Sequence, residues 1–536
     1  MCLYSVGSEK LQQVFWSVAA GAVLTCAFPG VGADWCAWFA IALLLAGLRT
    51  ADPLRAVMLG LLAGFVYFLT LLYWLVPTMH RYGPMPLVLS LGALLLLAFC
   101  LALYIAVFSG LVAWCARGRL GHPLWCLVLV PVFWVGLEWL RERLFSGFPW
   151  GLLGYSQYNR LHFIQIADIW GVYGVSFLLA LVNAAVFILI LAIAARRWQN
   201  RVPSLSHALA AAAVAAFLVA GTWMYGNWRI SEAESFSNAA EKMRVAVVQG
   251  NIDQSMKWED ALQEQTVDTY IRLSGQVLKT SPDLVVWPET ALPFYFFNNK
   301  ELTRRVLDAV DRAGVYFLIG SPAYERREGE DKDGLSIFNS AYLIDPEGRV
   351  AGRYDKVHLV PFGEYVPLRK WLPFLGKMVP QAADFSAGQK GMLLDMNGTQ
   401  LGVQICYEMI FPGLSAAAKK SGADLIVNIT NDAWFGRTAA PRQHFSMGVF
   451  RAVENRLAVV RAANTGISGF IDPVGRVSKT SEIFTTRTLV RRVPVIKRPA
   501  TFFSRHSSLL PWICMVSGLI FILAGPRKGL RKIRGC

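Results

Sequence analysis

The sequence predicts a membrane α-helical bundle of about eight transmembrane helices joined to an α/β domain, and three observations support this prediction. The 536-residue chain is 55% apolar and only 16% charged, with a mean hydropathy of +0.41. Several segments contain more than about 17 consecutive, mostly apolar residues, which is enough for a helix to cross a bilayer. A long polar region, in contrast, alternates short β-rich runs with helix-prone stretches.

Apolar segments long enough to span a membrane occur on both sides of the polar region. Seven precede it and one follows it, at roughly 11–28, 32–48, 54–76, 86–114, 122–140, 169–195, 206–226 and 508–525. This division predicts an N-terminal transmembrane bundle over 1–226, a polar domain over 227–505, and a C-terminal transmembrane helix with a basic tail over 506–536. A single large buried core does not explain the composition, because it would need far more charged surface.

The net charge of +16 is concentrated near the ends of the apolar segments. Residues 1–226 contain 12 Lys/Arg against 6 Asp/Glu, and the last 31 residues contain 5 Lys/Arg and no acidic residue. The sequence has no basic and aromatic stripe, so nucleic acid is not an expected partner. The positive-inside rule predicts that both termini lie in the cytoplasm and that 227–505 lies across the membrane. In a bacterium, these sides of the inner membrane are the cytoplasm and the periplasm.

The polar region has the pattern of an α/β layered domain. Short β-rich runs occur at 244–252, 283–290, 315–323, 340–350, 401–408, 423–432 and 458–466, and helix-length stretches include 259–280, 300–313 and 412–421. This alternation favours stacked layers of sheet and helix. The sequences DPEGR and DPVGR within the region are turn signals of the hairpin type.

Cys406 is the candidate nucleophile. Of the nine cysteines, it alone falls within 227–505, so it has no disulfide partner there, and no Cys/His spacing predicts a metal site. It ends the run LGVQIC, at the exit of a predicted strand, where a side chain can meet a substrate. A lone thiol is either an inert core residue or a nucleophile, and the cysteine count alone does not separate the two.

A thiol nucleophile needs a base to accept its proton and a cation to stabilise the charge that develops. Glu289 ends the run DLVVWPE, and Lys356 lies within RYDKVHLVP. An ionisable group in an apolar stretch costs free energy unless it is paired. Taken singly, Glu289 is more often a charge at a helix N-terminus, and Lys356 a guard of a sheet edge. The hypothesis is that both converge with Cys406 at one rim of a sheet.

These motifs resemble the nitrilase superfamily. WPET, YDKVHLVPFGEYVP and ICYE are similar to its three catalytic segments in the same chain order, and NDAWFG and the RAVENR and RAANTG run are similar to further segments. The resemblance covers about 244–490 and implies an α-β-β-α sandwich. With the preceding spans, the motif FPWGLLGYSQY, the segment QGNIDQSMKW and the last span, nearly the whole chain resembles the apolipoprotein N-acyltransferase family.

The resemblance implies a reaction and roles for the site residues. The family transfers an acyl chain from a phospholipid, typically phosphatidylethanolamine, to the N-terminal amino group of the diacylglyceryl-cysteine of an apolipoprotein. It proceeds by a ping-pong thioester mechanism without a cofactor. Cys406 is then the nucleophile, Glu289 the general base and acid, and Lys356 the oxyanion stabiliser. The implied supporting residues are Glu364, Tyr407, Glu408 and Trp258. The alternatives are a turn residue for Glu364 and an ordinary packing residue for Trp258.

Two aromatic stretches fit a lipid substrate. LPFYFFNN follows Glu289, and WLPFLGKMVP follows the Lys356 segment; both are apolar where a water-exposed loop should be polar. We expect these lipid-access loops to dip into the outer leaflet and line the path of the phospholipid. Their large aromatic residues are Phe294, Phe296, Phe297, Trp371 and Phe374. The alternative is that they pack on the domain's own core.

Other functions fit parts of this pattern. A membrane-anchored, nitrilase-type amidase acting on a small amide would use the same three residues, but it would need neither the apolar loops nor the spans. A domain that only binds lipoproteins would not need the three residues. A transporter would place charged residues deep within its spans. Acyl transfer is therefore the predicted function, and the amidase is the main alternative.

Overall fold

The structure is a computed structural model that describes residues 2–83, 85–253, 260–326, 335–366 and 385–525. The chain divides into two compact units. The helical unit comprises Met1–Trp228 and Ser508–Cys536, and the sheet unit is Arg229–Ser507.

The helical unit is built from apolar helices. Its main helices are α1 (Cys2–Cys26), α2 (Ala40–Leu48), α3 (Pro53–Leu71), α4 (Leu87–Ala116), α5 (Cys126–Arg143), α6 (Ala167–Ile193), α7 (Leu205–Ala239), of which the part up to Trp228 belongs to this unit, and, near the C-terminus, α12 (Leu509–Ala524). Within the described residues, five helices are long and apolar enough to cross a bilayer: α3 to α7, with α5 extended back to Pro123. Asp34–Leu48 and α12 are shorter apolar helices. The prediction of a membrane helical part is confirmed.

The helix α7 is longer than the predicted span at 206–226. It continues through NWRISEAESFSNA to Ala239. This stretch is polar but contains no glycine or proline after Gly226, so nothing in it breaks the helix. Hydropathy therefore marked where the apolar surface stops rather than where the helix ends.

Asn183 is a buried polar residue inside the bundle. Its Nδ2 donates to the carbonyls of Ala37 at 2.8 Å and Leu179 at 2.7 Å, and its Oδ1 accepts from the N–H of Ala42 at 3.0 Å. The side chain thereby ties α6 to Asp34–Leu48. Amide side chains within transmembrane helices typically form such hydrogen bonds between helices.

Two six-stranded sheets form the centre of the sheet unit. The strands of the first are β1 (Lys242–Gln249), β2 (Leu284–Val286), β3 (Tyr316–Arg326), β4 (Leu335–Ile344), β5 (Val350–Asp355) and β12 (Arg487–Pro494), in the spatial order β12-β1-β2-β3-β4-β5. The strands of the second are β6 (Leu394–Met396), β7 (Thr399–Ile405), β8 (Leu425–Thr430), β9 (Val459–Ala463), β10 (Gly469–Ile471) and β11 (Val477–Ser478), in the order β11-β10-β9-β8-β7-β6.

The strand directions determine where loops can meet. In the first sheet β1, β2 and β3 are parallel, and in the second β7, β8 and β9 are parallel. The other neighbours are antiparallel, including the two hairpins β4–β5 and β10–β11. These hairpins turn at DPEGR and DPVGR, as their sequences predict. Since parallel strands end at the same edge of a sheet, the loops after β2, β7 and β8 are suited to building a site.

Helices cover the outer faces of the sheets. They are α8 (Asp260–Leu278), α9 (Lys300–Ala313), α10 (Pro412–Ser421) and α11 (Ala440–Asn455). In β1, Val245 and Val247 belong to the core between the sheets, whereas Ala246 and Val248 belong to the core beneath α8 and α9. This alternation is the two-residue period of a strand buried on both faces. On the second sheet, Gln404 of β7 donates to Ser415 of α10. The predicted α-β-β-α sandwich is confirmed.

Candidate active site

The three residues predicted for catalysis lie beside ends of strands. Cys406 directly follows β7, Lys356 directly follows β5, and Glu289 lies in the turn after β2. Lys356 Nζ is 3.5 Å from Glu289 Oε1, and the charges of both side chains act on the Cys406 thiol. Residues separated by more than a hundred positions in the chain thus share one cleft, with contributions from both sheets.

The turn that carries Glu289 packs directly on the backbone of the next strand. A Cβ added to Gly320 in β3 would lie 2.5 Å from the carbonyl oxygen of Pro288 and 2.7 Å from Cα of Glu289. Real Cβ atoms do not approach so closely, so a side chain at this position would push the turn away. Glycine at position 320 therefore allows Glu289 its observed place.

Two carboxylates share Lys356. Its Nζ donates to Glu364 Oε1 at 2.8 Å, closer than its 3.5 Å contact with Glu289. Asn339 in β4 donates from Nδ2 to both carboxylates, at 2.8 Å to Glu289 and 2.9 Å to Glu364. Lys356 is only 1% exposed, so these contacts replace the water that its ammonium group has lost.

The second oxygen of each carboxylate is held by the backbone. Glu289 Oε2 accepts from the N–H of Asn431, which follows β8, at 2.8 Å. Glu364 Oε2 accepts from the N–H of Val360 at 2.9 Å. Both carboxylates are therefore fixed at both oxygens, and the second sheet orients a carboxylate that the first sheet carries.

The electrostatics of the site give the lysine and the thiol different charges, although the pKa of both is raised. Burial alone would lower the pKa of Lys356, but the carboxylates of Glu364 and Glu289 outweigh it, so this pKa lies above its usual range. Burial, followed by the negative charge of Glu289, raises the pKa of the Cys406 thiol, against the smaller opposite effect of Lys356. Lys356 is thus a permanent cation, and Cys406 rests as a neutral thiol that needs a base.

Cys406 has a left-handed backbone conformation with φ of 53°. This conformation costs a residue with a side chain roughly 1–2 kcal/mol, so the surroundings must hold it. It turns the chain sharply from β7 into a 3₁₀ helix at Cys406–Ile410. Cys406 consequently lies at the turn as a half-buried residue, whereas the strand before it is mostly buried.

Glu408 links the cysteine turn to the lysine segment. Its carboxylate accepts from the N–H of Ile405 at 2.6 Å, from the N–H groups of Val357 and His358 at 2.6 and 3.1 Å, and from the hydroxyl of Tyr354. The side chain is fully buried, and burial raises the pKa of Glu408 to about 7 although these N–H groups lower it. Glu408 therefore positions the two segments relative to each other.

A second buried polar cluster lies behind Cys406 and consists of Asp432, His444 and Arg461. Sequence reasoning did not single out these residues, nor Asn339. His444 Nε2 is 3.1 Å from the carbonyl oxygen of Cys406, and Arg461 donates to Asp432 at 2.8 Å. The signal in the sequence was a polar residue inside an otherwise apolar run, as in SIFNSAYLI around Asn339 or AVVRAA around Arg461.

The aromatic residues predicted to admit lipid separate into two groups. Phe294 and Phe296 are buried in the core beneath α8 and α9, which matches the alternative that they pack on the domain's own core. Their rings fill space between the turn and the sheet, so they do not face lipid. Phe297 is 59% exposed, and for this residue the lipid-access role remains a prediction.

Four further candidates were predicted from the sequence, and the structure describes one of them. Tyr407 is buried, with its ring centroid 5.2 Å from that of Phe411, which fits a role in shaping the turn after Cys406. Trp258, Trp371 and Phe374 lie outside the described residues, so their predicted roles stay predictions.

Known families match both parts of the chain. Residues 20–185 match the apolipoprotein N-acyltransferase N-terminal domain, and residues 244–495 match the carbon-nitrogen hydrolase family. An apolipoprotein N-acyltransferase of Geobacter metallireducens is 42% identical over 516 residues, covering 96% of this chain and 95% of the relative. One of Methylococcus capsulatus is 34% identical over 484 residues, covering 89% and 90%.

The chain belongs to the apolipoprotein N-acyltransferase family. It is a membrane protein and an acyltransferase with a hydrolase-type domain, so the predicted activity is confirmed over the amidase alternative. Among solved structures, an amidase from Nesterenkonia sp. AN1 matches with a TM-score of 0.36 and 20% identity, covering 48% of this chain and 94% of the amidase.

Proposed function

We propose that this enzyme transfers an acyl chain from phosphatidylethanolamine, through a thioester on Cys406, to the α-amino group of an apolipoprotein's N-terminal diacylglyceryl-cysteine. One observation carries the proposal: the charges of Glu289 and Lys356 both act on a thiol whose pKa is raised. A neutral thiol beside a carboxylate and a permanent cation has the three groups that acyl transfer needs.

The first half-reaction forms the thioester. Glu289 accepts the proton of the Cys406 thiol as the sulfur attacks the ester carbonyl of the phospholipid. The oxyanion of the tetrahedral intermediate binds to the ammonium group of Lys356 and the backbone N–H of Tyr407. The intermediate then collapses, the carbon–oxygen bond of the ester breaks, and Glu289 returns the proton to the leaving lysophospholipid alkoxide.

The second half-reaction consumes the thioester. The neutral α-amine of the acceptor attacks the thioester carbonyl, and Glu289 accepts a proton from the attacking nitrogen. The carbon–sulfur bond breaks, and the thiol recovers its proton. Glu364 supports both steps because its 2.8 Å contact keeps Lys356 charged and in position.

The proposal includes a location. The excess of Lys and Arg near one set of span ends supports an inner-membrane enzyme with cytoplasmic termini and the sheet unit in the periplasm. In that orientation, the acyl donor comes from the outer leaflet of the inner membrane.

Mass spectrometry of the enzyme tests the thioester directly. The purified protein is mixed with phosphatidylethanolamine vesicles, quenched in acid and digested. The expected result is a fatty-acyl mass on the peptide containing Cys406 and none on the peptide containing the buried Cys126. An acyl mass elsewhere, or persistence of activity in Cys406→Ser, would contradict the proposal.

The acceptor is tested with the isolated acyl-enzyme. Adding a diacylated lipopeptide with a free α-amine should discharge the thioester and yield the N-acylated lipopeptide. The same lipopeptide with an acetylated α-amine is the matched control and should leave the thioester intact. Discharge to free fatty acid with both lipopeptides would indicate a hydrolase instead.

A further inference from the structure

His444 contacts the backbone of the nucleophile from behind. It lies on α11, and its Nε2 is 3.1 Å from the carbonyl oxygen of Cys406. A carbonyl oxygen can only accept a hydrogen bond, so Nε2 carries the proton and donates it. His444 itself is only 1% exposed.

The opposite edge of the imidazole ring is held by two charged groups. Asp432 Oδ1 and Arg461 each lie 3.0 Å from His444 Nδ1, and Arg461 donates to Asp432 Oδ2 at 2.8 Å. A proton on Nδ1 would be accepted by Asp432, and a lone pair there accepts from Arg461. The ring therefore keeps its orientation in either state, with Nε2 protonated in both.

Burial and the positive charge of Arg461 favour the neutral ring and outweigh the opposite effect of Asp432. Burial, followed by the positive charge of Arg461, lowers the pKa of His444. The positive charge of Arg461 holds the pKa of Asp432 well below its usual range against the effect of burial, so the carboxylate stays charged. The cluster is thus a fixed support for one hydrogen bond to Cys406.

That hydrogen bond has a consequence on the other side of the peptide. The carbonyl of Cys406 and the N–H of Tyr407 belong to one planar trans peptide, in which they point in opposite directions. Holding the carbonyl toward His444 therefore turns the Tyr407 N–H to the face opposite His444. The left-handed φ of 53° at Cys406 is what sets this peptide at its unusual angle.

We propose that His444, held by Asp432 and Arg461, is a positioning residue that aims the Tyr407 N–H at the oxyanion of the reaction. The inference rests on the proposed function, because it assigns a cause to the direction of the N–H that stabilises the tetrahedral intermediate. His444 itself touches neither substrate nor thiol in this role. It acts through the Cys406 carbonyl.

Two amide substitutions separate positioning from simple packing. In His444→Gln, the side-chain amide N–H can reach the place of Nε2, whereas in His444→Asn the same amide is one methylene shorter and cannot. Asn455→Ala is the stability control, because Asn455 is buried on the same helix and its side chain bonds Arg451 and Ser504 rather than the cluster. All variants are the full chain in detergent with phospholipid.

Two rates on Cys406 are compared for each variant by mass spectrometry. Thioester formation from phosphatidylethanolamine passes through an oxyanion, whereas alkylation by iodoacetamide displaces iodide directly and forms none. Both need the thiol deprotonated. Both rate constants are taken on folded protein recovered by size-exclusion chromatography, because an unfolded chain would still be alkylated but would form no thioester. Their ratio therefore reports oxyanion stabilisation.

For His444→Asn, we expect thioester formation to fall by about 10²–10³-fold, the usual effect of losing one oxyanion donor, while alkylation changes by less than about threefold. His444→Gln should recover thioester formation to within about tenfold of the unmodified enzyme. Asn455→Ala should leave the ratio unchanged whatever its effect on the melting temperature.

Other outcomes overturn the inference. Equal losses of both rates in His444→Asn would mean that the residue acts on the thiol or on folding. An unchanged ratio, or equal ratios for the Gln and Asn variants, would mean that the hydrogen bond to the carbonyl is immaterial. Failure of the proposed function looks different, because the unmodified enzyme would then form no thioester while still alkylating at Cys406.

Discussion

Two sets of buried polar side chains, one in each unit of this chain, find their partners in opposite ways. In the helical unit, Asn183 and Arg141 are buried, and their hydrogen-bond partners are mainly backbone carbonyls. In the sheet unit, Lys356, Glu289 and Glu364 are buried with one another as partners. Both arrangements supply the hydrogen bonds that these groups would otherwise make to water.

The difference lies in what the partners can do. A backbone carbonyl has a fixed charge distribution, so a side chain bound to it contributes to holding helices together and little else. A carboxylate beside an ammonium group changes the proton affinity of both, and of any thiol between them. Substitutions in the helical unit should therefore affect folding, whereas those in the cleft should affect the reaction.

The largest effect is expected for Glu289→Gln. Without the base, acyl transfer should fall by about 10⁴-fold. The variant loses the negative charge of Glu289, which is the second cause of the raised pKa of the Cys406 thiol, but it keeps burial, which is the first. The thiolate therefore still forms only as the pH rises into the alkaline range. Iodoacetamide labelling of Cys406 should therefore be slow at neutral pH and increase with pH.

The matched control is Glu325→Gln, which removes an exposed carboxylate paired with Arg353 in the same sheet. It should leave both activity and the labelling profile as they were. If Glu289→Gln labels as fast as the unmodified enzyme at neutral pH, Glu289 is not the base.

A smaller effect is expected for Glu408→Gln. The amide keeps one acceptor oxygen but turns an NH₂ group toward N–H donors of Ile405 or Val357, which leaves them unsatisfied. Acyl transfer should fall by about 10²-fold, and the free energy of unfolding should decrease by about 1–3 kcal/mol. Denaturant titration measures the change in stability, and activity per folded molecule measures the change in catalysis.

Glu454→Gln separates the effect on stability from the effect on catalysis, because Glu454 is an equally buried carboxylate that pairs with Arg451 on α11. It should lower stability by a similar amount while activity per folded molecule persists. Equal losses of activity in the two variants would show that destabilisation alone explains Glu408.

Asn183→Leu tests the other side of the comparison. It removes two hydrogen bonds from α6 to Asp34–Leu48 and one within α6, and similar interhelical bonds in membrane bundles contribute about 1 kcal/mol. The melting temperature in detergent should fall, and acyl transfer per folded molecule should not change. Ile190→Ala, an exposed position on the same helix, should change neither. A loss of specific activity in Asn183→Leu would show that the bundle takes part in the reaction.

The smallest effect is expected for Phe297→Ser. This residue is the exposed one of the three predicted lipid-access phenylalanines, and losing part of its apolar contact with lipid should slow transfer from vesicles about threefold. Transfer from a short-chain, water-soluble phospholipid should not change. Val477→Ser, which alters another exposed apolar residue of the sheet unit, is the control. Equal effects on both donors would argue against a role in lipid access.

The sequence was sufficient where local pattern determines structure. Cys406 was placed at a strand exit because an apolar run ends there, and the turn sequences DPEGR and DPVGR predicted two hairpins correctly. The spans followed from composition, because a bilayer-crossing helix must be apolar along its length.

The sequence was insufficient where the role of a residue depends on distant partners. Asn339 and His444 act through contacts with residues 25 to 50 positions away, and a single sequence does not pair such positions. The burial of Phe294 and Phe296 was missed for a related reason. An aromatic side chain has the same sequence signature whether it faces lipid or a sheet, and only the path of the turn after β2 decides between them.

The cluster of two carboxylates around one ammonium group has a formal charge of minus one, because Lys356 neutralises only one of Glu289 and Glu364. Such a cleft attracts a positively charged amine and repels a free fatty-acid anion. In the proposed mechanism, this field raises the concentration of the protonated acceptor amine near the acylated sulfur. The unbalanced charge would thereby favour a nitrogen nucleophile over water.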